Sequence, residues 1–160
     1  MERVLVIGCP GSGKSTFARA LAAKTGLPLC HLDRLFWNAD RTTVSAEVFD
    51  ARLAAVLQRP RGIIDGNYSR TLPTRLAWCD TVLWLDLPTE VCLEGVRARR
   101  GKVRPDMPWV EIGEDAEFMR YVADFAAVQR PKIAALLGEY PDKRVVIFSS
   151  REQAHAYLKR

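Results

Sequence analysis

Residues 8–16 read Gly8-Cys9-Pro10-Gly11-Ser12-Gly13-Lys14-Ser15-Thr16. Two glycines separated by four residues and followed by Lys and Ser match the phosphate-binding loop (P-loop) pattern without a mismatch. An apolar run at residues 4–7 precedes the loop, and apolar residues recur at helical spacing after it. A plain glycine-rich turn would not need Lys and Ser at this offset. We therefore expect a strand, a phosphate-binding loop and a helix in succession.

Each residue type in this loop suits the binding of a nucleoside triphosphate. Glycines let successive backbone N–H groups turn towards phosphate oxygens, and the start of the following helix attracts the same anion. Lys14 would reach the terminal phosphates of ATP, and the Ser15 hydroxyl would ligate Mg²⁺. The residues predicted to bind the nucleotide are Gly8, Pro10, Gly11, Ser12, Gly13, Lys14, Ser15 and Thr16, together with Arg100 from a later segment.

Length and composition indicate one ordinary globular domain, spanning residues 1–160. The chain is 48% hydrophobic and 27% charged, and no apolar run approaches the roughly 18 residues of a membrane span. We expect a cytoplasmic protein that does not bind membranes, as a monomer or a homodimer. The four cysteines lack metal-ligand spacing and are expected to be buried free thiols, except Cys9, which is expected to be accessible in the loop.

The net charge of +5 raises the question of nucleic-acid binding. Five of the cations fall within residues 97–104, and the rest are spread along the chain. A local cluster of this kind is more typical of a site that holds a polyphosphate than of a DNA-binding surface. Nucleic acid is therefore not the expected partner, although composition alone leaves it open.

Five short apolar runs alternate with helical patterns, at about residues 3–7, 27–33, 62–66, 81–86 and 144–149. This alternation predicts an α/β fold, a P-loop NTPase three-layer sandwich in which a five-stranded parallel sheet has helices on both faces. Two segments fall outside the pattern. Residues 34–60 have the size of a short flap that holds an acceptor, and residues 100–116 read as a mobile lid. Pro131 should break or kink a helix between residues 116 and 138.

Three carboxylates, Asp33, Asp65 and Asp86, are predicted at the carboxyl ends of strands. Ligands bind at this edge of parallel sheets, so one crevice should collect the P-loop and two or three of these carboxylates. The alternatives are that Asp33 caps a helix, that Asp65 forms an Asp-Gly turn, and that Asp86 is a cap or the neighbour of a lid arginine. His31 and His155 have no partner at a useful spacing and are expected to be structural.

The P-loop, Ile63-Ile64-Asp65-Gly66, the Arg97–Arg100 cluster before a lid, and a short fifth strand resemble the adenylate-kinase-related group of P-loop small-molecule kinases. The stretches His31-Leu32-Asp33-Arg34-Leu35-Phe36-Trp37 and Ile64-Asp65-Gly66-Asn67-Tyr68 resemble one branch of that group, the bacterial DNA topology modulation proteins. The resemblance covers nearly the whole chain.

This resemblance implies ATP-dependent phosphoryl transfer, with Mg²⁺, to a small acceptor such as a nucleoside or a nucleotide. Asp65 would hold the hydration shell of the metal that Ser15 ligates, and Asp33 would orient the acceptor or take its proton. Arg99 would bind the transferring phosphoryl group, and Arg104, with Arg130 as a weaker match, would close over it. The expected catalytic residues are thus Lys14, Asp33, Arg99 and Arg104, and the expected metal-binding residues are Ser15 and Asp65.

The sequence departs from the adenylate kinases at two places. Gly95 stands where those enzymes have an arginine that stacks on adenine, which leaves the base preference open. The arginine that would grip an acceptor monophosphate is displaced, so Arg70 or Arg75 would have to replace it.

Two other functions remain possible from the residues. The first is a regulatory module that binds nucleotide and then acts on DNA or on a protein partner, although no DNA-binding motif is recognisable. The second is an NTPase that uses water as acceptor, although no glutamine near Asp65 is suitably placed to position that water.

Overall fold

Five parallel strands form the central sheet of the computed structural model, which describes residues 1–113 and 115–160. In chain order the strands are β1 (Arg3–Gly8), β2 (Leu29–His31), β3 (Gly62–Asp65), β4 (Thr81–Leu85) and β5 (Arg144–Phe148). Their spatial order is β2-β3-β1-β4-β5, and every neighbouring pair is parallel. The predicted five-stranded parallel sheet is confirmed.

Helices fill most of the connections between these strands. Over the described residues they are α1 (Lys14–Thr25), α2 (Leu32–Phe36), α3 (Ala46–Leu57), α4 (Leu72–Trp78), α5 (Thr89–Arg99), α6 (Ala116–Gly138) and α7 (Arg151–Leu158), with a 3₁₀ turn at Ser69–Thr71. Residues 100–113 contain no helix or strand. None of the helices in this part of the chain is long and apolar enough to cross a membrane.

The direction of the crossovers places helices on both faces of the sheet. From β1 the chain passes beyond β3 to the edge strand β2, and every later connection runs the other way, towards β5. Because such crossovers are right-handed, α1 lies on one face, and the helices between β2 and β5 lie on the other. The last helix, α7, contacts α1 and so returns to the first face. The predicted three-layer α/β arrangement is confirmed.

The strand that carries the P-loop lies in the middle of the core. Residues Val4 to Ile7 of β1 are 0% exposed, as expected for a parallel strand covered by helices on both sides. By contrast, β5 at the sheet edge leaves Val145 37% and Ile147 52% exposed. The P-loop therefore starts from a central strand whose last five residues are all buried.

Capping side chains mark the starts of three helices. Ser45, Asp115 and Ser150 each accept a hydrogen bond from the backbone N–H three residues later, which satisfies a free donor of the first turn. Helix α5 begins without a capping side chain, because Pro88 occupies the cap position and Thr89 is the first helical residue. The expected break at Pro131 does not occur, since Phe125 and Ile133 keep one buried face on either side of it.

The second strand is shorter than its apolar run predicts. It ends at His31, and the chain turns directly into the five-residue helix α2, where Leu32 is fully buried. Asp33 consequently lies in the first turn of α2 rather than in the strand. It still lies at the carboxyl edge of the sheet.

Candidate active site

A cavity of about 880 Å³ opens at the carboxyl edge of the sheet, where ligands bind in parallel α/β folds. Most of its lining comes from three places: the P-loop, the segment from Asp33 to Arg41 with the turn after β3, and residues 98–113 with the adjoining start of α6. This volume lies towards the upper end of the range for ligand pockets, about 300–1,000 Å³. The lining includes the following predicted site residues: Pro10, Gly11, Gly13, Lys14, Ser15, Thr16, Asp33, Asp65, Arg99, Arg100 and Arg104.

Positive backbone φ angles shape the P-loop. Gly8, Gly11 and Gly13 have φ values of 155°, 83° and 95°, a region that residues with a side chain rarely adopt. Gly13 is the N-cap of α1, so the first free N–H groups of that helix face the loop. The loop thus has the backbone form that suits an anion.

Two predicted loop residues do not line the cavity. The N–H of Gly8 donates to Oδ1 of Asn67 at 3.1 Å, and its carbonyl accepts from Nδ2 of Asn67 at 2.6 Å. Ser12 is only 1% exposed, and its hydroxyl has no partner among the described residues. Gly8 therefore serves to anchor the loop to the turn after β3, a contact that the sequence did not predict.

Helix α5 packs directly on the backbone of the P-loop. A Cβ atom on Gly95 would lie 2.0 Å from the carbonyl oxygen of Gly11, and a Cβ on Gly11 would lie 2.0 Å from the carbonyl oxygen of Cys92. Neither position has room for a side chain. Position 95 therefore cannot carry an arginine while α5 lies this close to the loop.

The expectation that Cys9 is accessible is wrong. Its side chain turns into the core and is 6% exposed, with its Sγ 3.9 Å from the carbonyl oxygen of Val122. A hydrogen bond with Cys92 and burial both raise the pKa of the Cys9 thiol. The other three cysteines are buried free thiols, as predicted.

Ser15, the predicted metal ligand, lies beside Arg19 of the same helix. Nη1 of Arg19 donates to the Ser15 hydroxyl oxygen at 2.6 Å and lies 4.0 Å from a carboxylate oxygen of Asp106. A hydroxyl oxygen has two lone pairs, so this bond leaves Ser15 able to ligate a cation.

Asp65 is held by a histidine that we expected to have no such partner. Nδ1 of His31 lies 2.6 Å from Oδ2 of Asp65, because the sheet pairs the last residue of β2 with the last residue of β3. Oδ1 of Asp65 is buried and has no partner among the described residues. Strand order, which sequence patterns do not reveal, is what brings these two residues together.

The Ser15 hydroxyl oxygen and Oδ1 of Asp65 suit a magnesium ion. Mg²⁺ keeps several waters and usually takes one or two protein oxygens plus substrate phosphates. The Ser15 hydroxyl and the orphaned Oδ1 of Asp65 are donors of that kind. The described residues contain no group of three or more His, Cys, Asp or Glu side chains that could hold a metal ion.

Arg99 and Arg104 meet at a shared carboxylate. Both guanidinium groups contact Oε1 of Glu111, at 3.3 Å from Arg99 and 2.8 Å from Arg104. Arg104 also lies 3.7 Å from Oδ2 of Asp106. Burial and the nearby charge of Arg104 lower the pKa of Arg99, whose Nε has no partner in the described part of the chain. The two guanidinium groups are therefore held on one wall of the cavity by the carboxylates of Glu111 and Asp106.

The remaining arginines of the cluster divide between the cavity and the surface. Arg100 lines the cavity, whereas Arg97 is exposed on α5 and does not. Arg130 lies outside the cavity, where its Nε contacts both carboxylate oxygens of Asp86 at 2.8 and 3.0 Å. Arg130 and Asp86 therefore form an ion pair away from the predicted site.

Asp33 makes a short hydrogen bond inside the cavity. The Tyr68 hydroxyl donates to Oδ1 of Asp33 at 2.5 Å. Burial raises the pKa of Asp33, and the bond from Tyr68 opposes that rise only in part. An ionised carboxylate in such a place is a stronger proton acceptor than an exposed one.

Arg70 and Arg75 do not point into the cavity. Arg75 is 0% exposed and donates to the backbone carbonyls of Gly66, Asn67 and Tyr68, so it holds the turn after β3 in place. Burial lowers its pKa to about 10. Arg70 pairs with Asp50 on the exposed outer side of α3. Neither arginine replaces the missing acceptor-binding one.

One known protein family matches part of this chain in sequence. A family model described as "ATPase family associated with various cellular activities (AAA)" matches residues 4–61, a minority of the chain that includes the P-loop. No curated protein matches the chain in sequence.

Solved structures match over almost the whole length. Shikimate kinase from Bacteroides thetaiotaomicron has a TM-score of 0.62 at 21% identity, over 99% of this chain and 95% of its own. Shikimate kinase from Acinetobacter baumannii, in complex with shikimate, has a TM-score of 0.66 at 18% identity, over 99% and 89%. An unliganded sugar kinase from a Janibacter species has a TM-score of 0.55 at 21% identity, over 100% and 91%. At these identities the likeness establishes the fold, which is that of P-loop small-molecule kinases.

Proposed function

We propose that this protein transfers the terminal phosphoryl group of Mg-ATP to a hydroxyl group of a small acceptor. One observation carries the proposal: a single cavity brings together the P-loop, the Asp33 carboxylate and the paired arginines Arg99 and Arg104. The fold neighbours named above, shikimate kinases and a sugar kinase, support it, since both names describe phosphoryl transfer to small molecules.

In this proposal the P-loop and Lys14 bind the phosphates of ATP. The backbone N–H groups at the start of α1 hold the phosphate oxygens, and the Lys14 ammonium neutralises charge on the terminal groups. Arg99 and Arg104 leave Glu111 to contact the transferring phosphoryl group, on which charge is spread over three oxygens. Arg100, next to them on the cavity wall, assists in holding the nucleotide.

Asp33 acts on the acceptor. Its carboxylate accepts a hydrogen bond from the reacting hydroxyl, orients that oxygen in line with the phosphoryl group and takes its proton. Tyr68 fixes the carboxylate through the hydrogen bond to Oδ1. The raised pKa of Asp33 makes it a better base than an exposed aspartate.

Ser15 and Asp65 would hold Mg²⁺, Ser15 directly and Asp65 through water. When bound, the ion neutralises phosphate charge and fixes the orientation of the phosphates. His31 keeps the Asp65 side chain in place through its contact with Oδ2. Residues 100–113 cover the cavity from the other side and would exclude water from the phosphoryl group.

We also propose that the chain is one cytoplasmic domain, with a flap at about residues 34–60 and a lid at about residues 100–116. We propose further that it is related to the adenylate kinases and to the topology modulation branch. A small-molecule acceptor is its partner.

Acceptor-dependent consumption of ATP tests the proposal. Purified protein with Mg-ATP is incubated with a library of nucleosides, nucleotides, sugars and hydroxy acids beside a blank without acceptor, and ADP formation is followed. At least one acceptor should raise turnover well above the blank and yield a phosphorylated product. Slow turnover that no acceptor changes would contradict the proposal and would favour a regulatory or water-using NTPase.

A further inference from the structure

Aromatic rings form a continuous wall on the acceptor side of the cavity. Phe36, Trp37, Tyr68 and Trp109 all line it. The ring centroids of Trp37 and Trp109 are 5.3 Å apart, and those of Phe36 lie 5.5 Å from Trp37 and 5.3 Å from Tyr68. The wall thus runs from α2 and the turn after β3 to the covering segment. Faces of this kind bind flat rings by stacking.

A carboxylate lies beside this wall. Asp33 lines the cavity and accepts a hydrogen bond from Tyr68, one of the rings of the wall. A carboxylate has about four lone-pair sites, so the single bond from Tyr68 leaves Asp33 able to accept from ligand hydroxyl groups. The charge of the Asp33 carboxylate repels a phosphate or carboxylate on the acceptor.

The arginines that could bind an acidic acceptor are committed elsewhere. Of the seven arginines between residues 33 and 78, all of them in the described part of the chain, only Arg41 lines the cavity. Its guanidinium lies 5.2 Å from the ring centroid of Trp109 and donates to the carbonyl of Val110 at 3.2 Å. Arg34 and Arg52 donate to backbone carbonyls, Arg70 binds Asp50, and Arg75 is buried. Arg41 is thus the one arginine of this segment that could reach an acceptor phosphate, and to do so it would have to leave the Trp109 ring.

We infer that the acceptor is an uncharged molecule that carries both hydroxyl groups and a flat ring, and that its class is the nucleosides without phosphate. The aromatic wall takes the base, and Asp33 takes the hydroxyl that receives the phosphoryl group. This inference rests on the proposed phosphoryl transfer, because it concerns the second ligand of the same cavity.

The predicted ligand class is tested by the binding of candidate acceptors, measured under conditions in which no phosphoryl group can be transferred. Isothermal titration of the full chain with Mg-ADP present uses adenosine, guanosine, cytidine and thymidine, their 5′-monophosphates, ribose and choline as probes. At least one nucleoside should bind, at least tenfold more tightly than its monophosphate, and ribose and choline should bind no better than the monophosphate. A monophosphate, ribose or choline that binds as tightly as every nucleoside would overturn the inference.

Tryptophan variants test the role of the wall. Trp37→Leu and Trp109→Leu keep an apolar side chain but remove the ring, and each should weaken nucleoside binding at least about fivefold. Trp37→Phe should retain most of the affinity. The matched control is Trp78→Phe, since Trp78 lies outside the cavity with its Nε1 bonded to the carbonyl of Arg59. Unchanged affinity in both leucine variants, with folding verified by circular dichroism, would refute the wall as the base-binding surface.

The two proposals fail in different ways. If a nucleoside binds as described but Mg-ATP yields no phosphorylated product, the transfer reaction is wrong while the ligand class stands. If instead a monophosphate or a hydroxy acid is phosphorylated and nucleosides are not, the transfer stands while the ligand class is wrong.

Discussion

The two halves of the cavity are built in different ways. On the nucleotide side, the backbone makes the site: glycines with positive φ, two hydrogen bonds between Asn67 and Gly8, and the close approach of Gly95 to Gly11. On the acceptor side, the site consists of side chains from separate segments, such as Asp33, Tyr68 and Trp109. A backbone cradle suits phosphate, which is the same in every nucleoside triphosphate, whereas side chains can be exchanged to suit one acceptor.

Removal of the Lys14 ammonium should lower activity most, because Lys14 belongs to the P-loop itself and carries the charge that is expected to reach the terminal phosphates. Lys14→Ala should lower kcat/KM by at least about 10³-fold, the lower end of what one cation at the transferring phosphate contributes. The measurement is ADP formation with the best acceptor. Lys132→Ala, at an exposed position of α6 outside the cavity, is the control and should keep full activity. A loss below tenfold for Lys14→Ala would mean that the cradle works without this charge.

Asp33→Asn should impair the acceptor half of the cavity and leave the nucleotide half intact. The variant should retain ATP affinity within about twofold, but acceptor phosphorylation should fall by roughly 10²–10⁴-fold, the usual contribution of a general base. Titration calorimetry with ATP and a product assay measure the two effects. An equal loss of ATP affinity would show that Asp33 belongs to the nucleotide side.

The same variant should be more stable than the parent at neutral pH. Burial raises the pKa of Asp33 in the folded state, so folding favours the protonated form. The contribution of Asp33 to stability is therefore fully present below its unfolded pKa of about 3.9 and declines as pH rises through the raised value. Urea unfolding of parent and variant should show a difference that favours Asp33→Asn at pH 7 and shrinks towards pH 4. A difference independent of pH would contradict this explanation.

Gly95→Ala tests whether the backbone cradle depends on close packing. The added Cβ would lie 2.0 Å from the Gly11 carbonyl oxygen, so the loop or α5 must move. We expect unfolding to become easier by about 1–3 kcal/mol and ATP to bind roughly tenfold more weakly. Gly138→Ala is the matched control, because a Cβ on Gly138 in α6 meets nothing within 4 Å. It should leave ATP binding unchanged and stabilise the protein by about 0.5–1 kcal/mol. Equal ATP affinity in the two variants would show that the loop tolerates displacement.

The difference between the backbone-built and the side-chain-built half of the cavity also explains how much of the molecule the sequence could predict. The P-loop, the five parallel strands and most helix starts follow from local patterns, since glycine spacing, apolar runs and capping residues act over a few positions. The contact between His31 and Asp65 depends on which strands are neighbours, and the wall from Trp37 to Trp109 joins residues 72 positions apart. Cys9 was misplaced for a similar reason, because α5 and α6, which bury it, lie far along the chain. Arg70 and Arg75, the suggested phosphate ligands, likewise find their partners through tertiary packing.

Arg70→Gln should have the smallest effect, and it tests the boundary of the acceptor half. The guanidinium of Arg70 is bound to Asp50 with both side chains about half exposed, and exposed ion pairs contribute little to stability because water screens them. Stability should therefore stay close to that of the parent, and the ratio of nucleoside to monophosphate phosphorylation should not change. A drop confined to monophosphate acceptors would place their phosphate near Arg70, on the outer side of α3. The acceptor site would then extend beyond the aromatic wall, and its selectivity against phosphate would have to come from somewhere other than the lack of a free arginine.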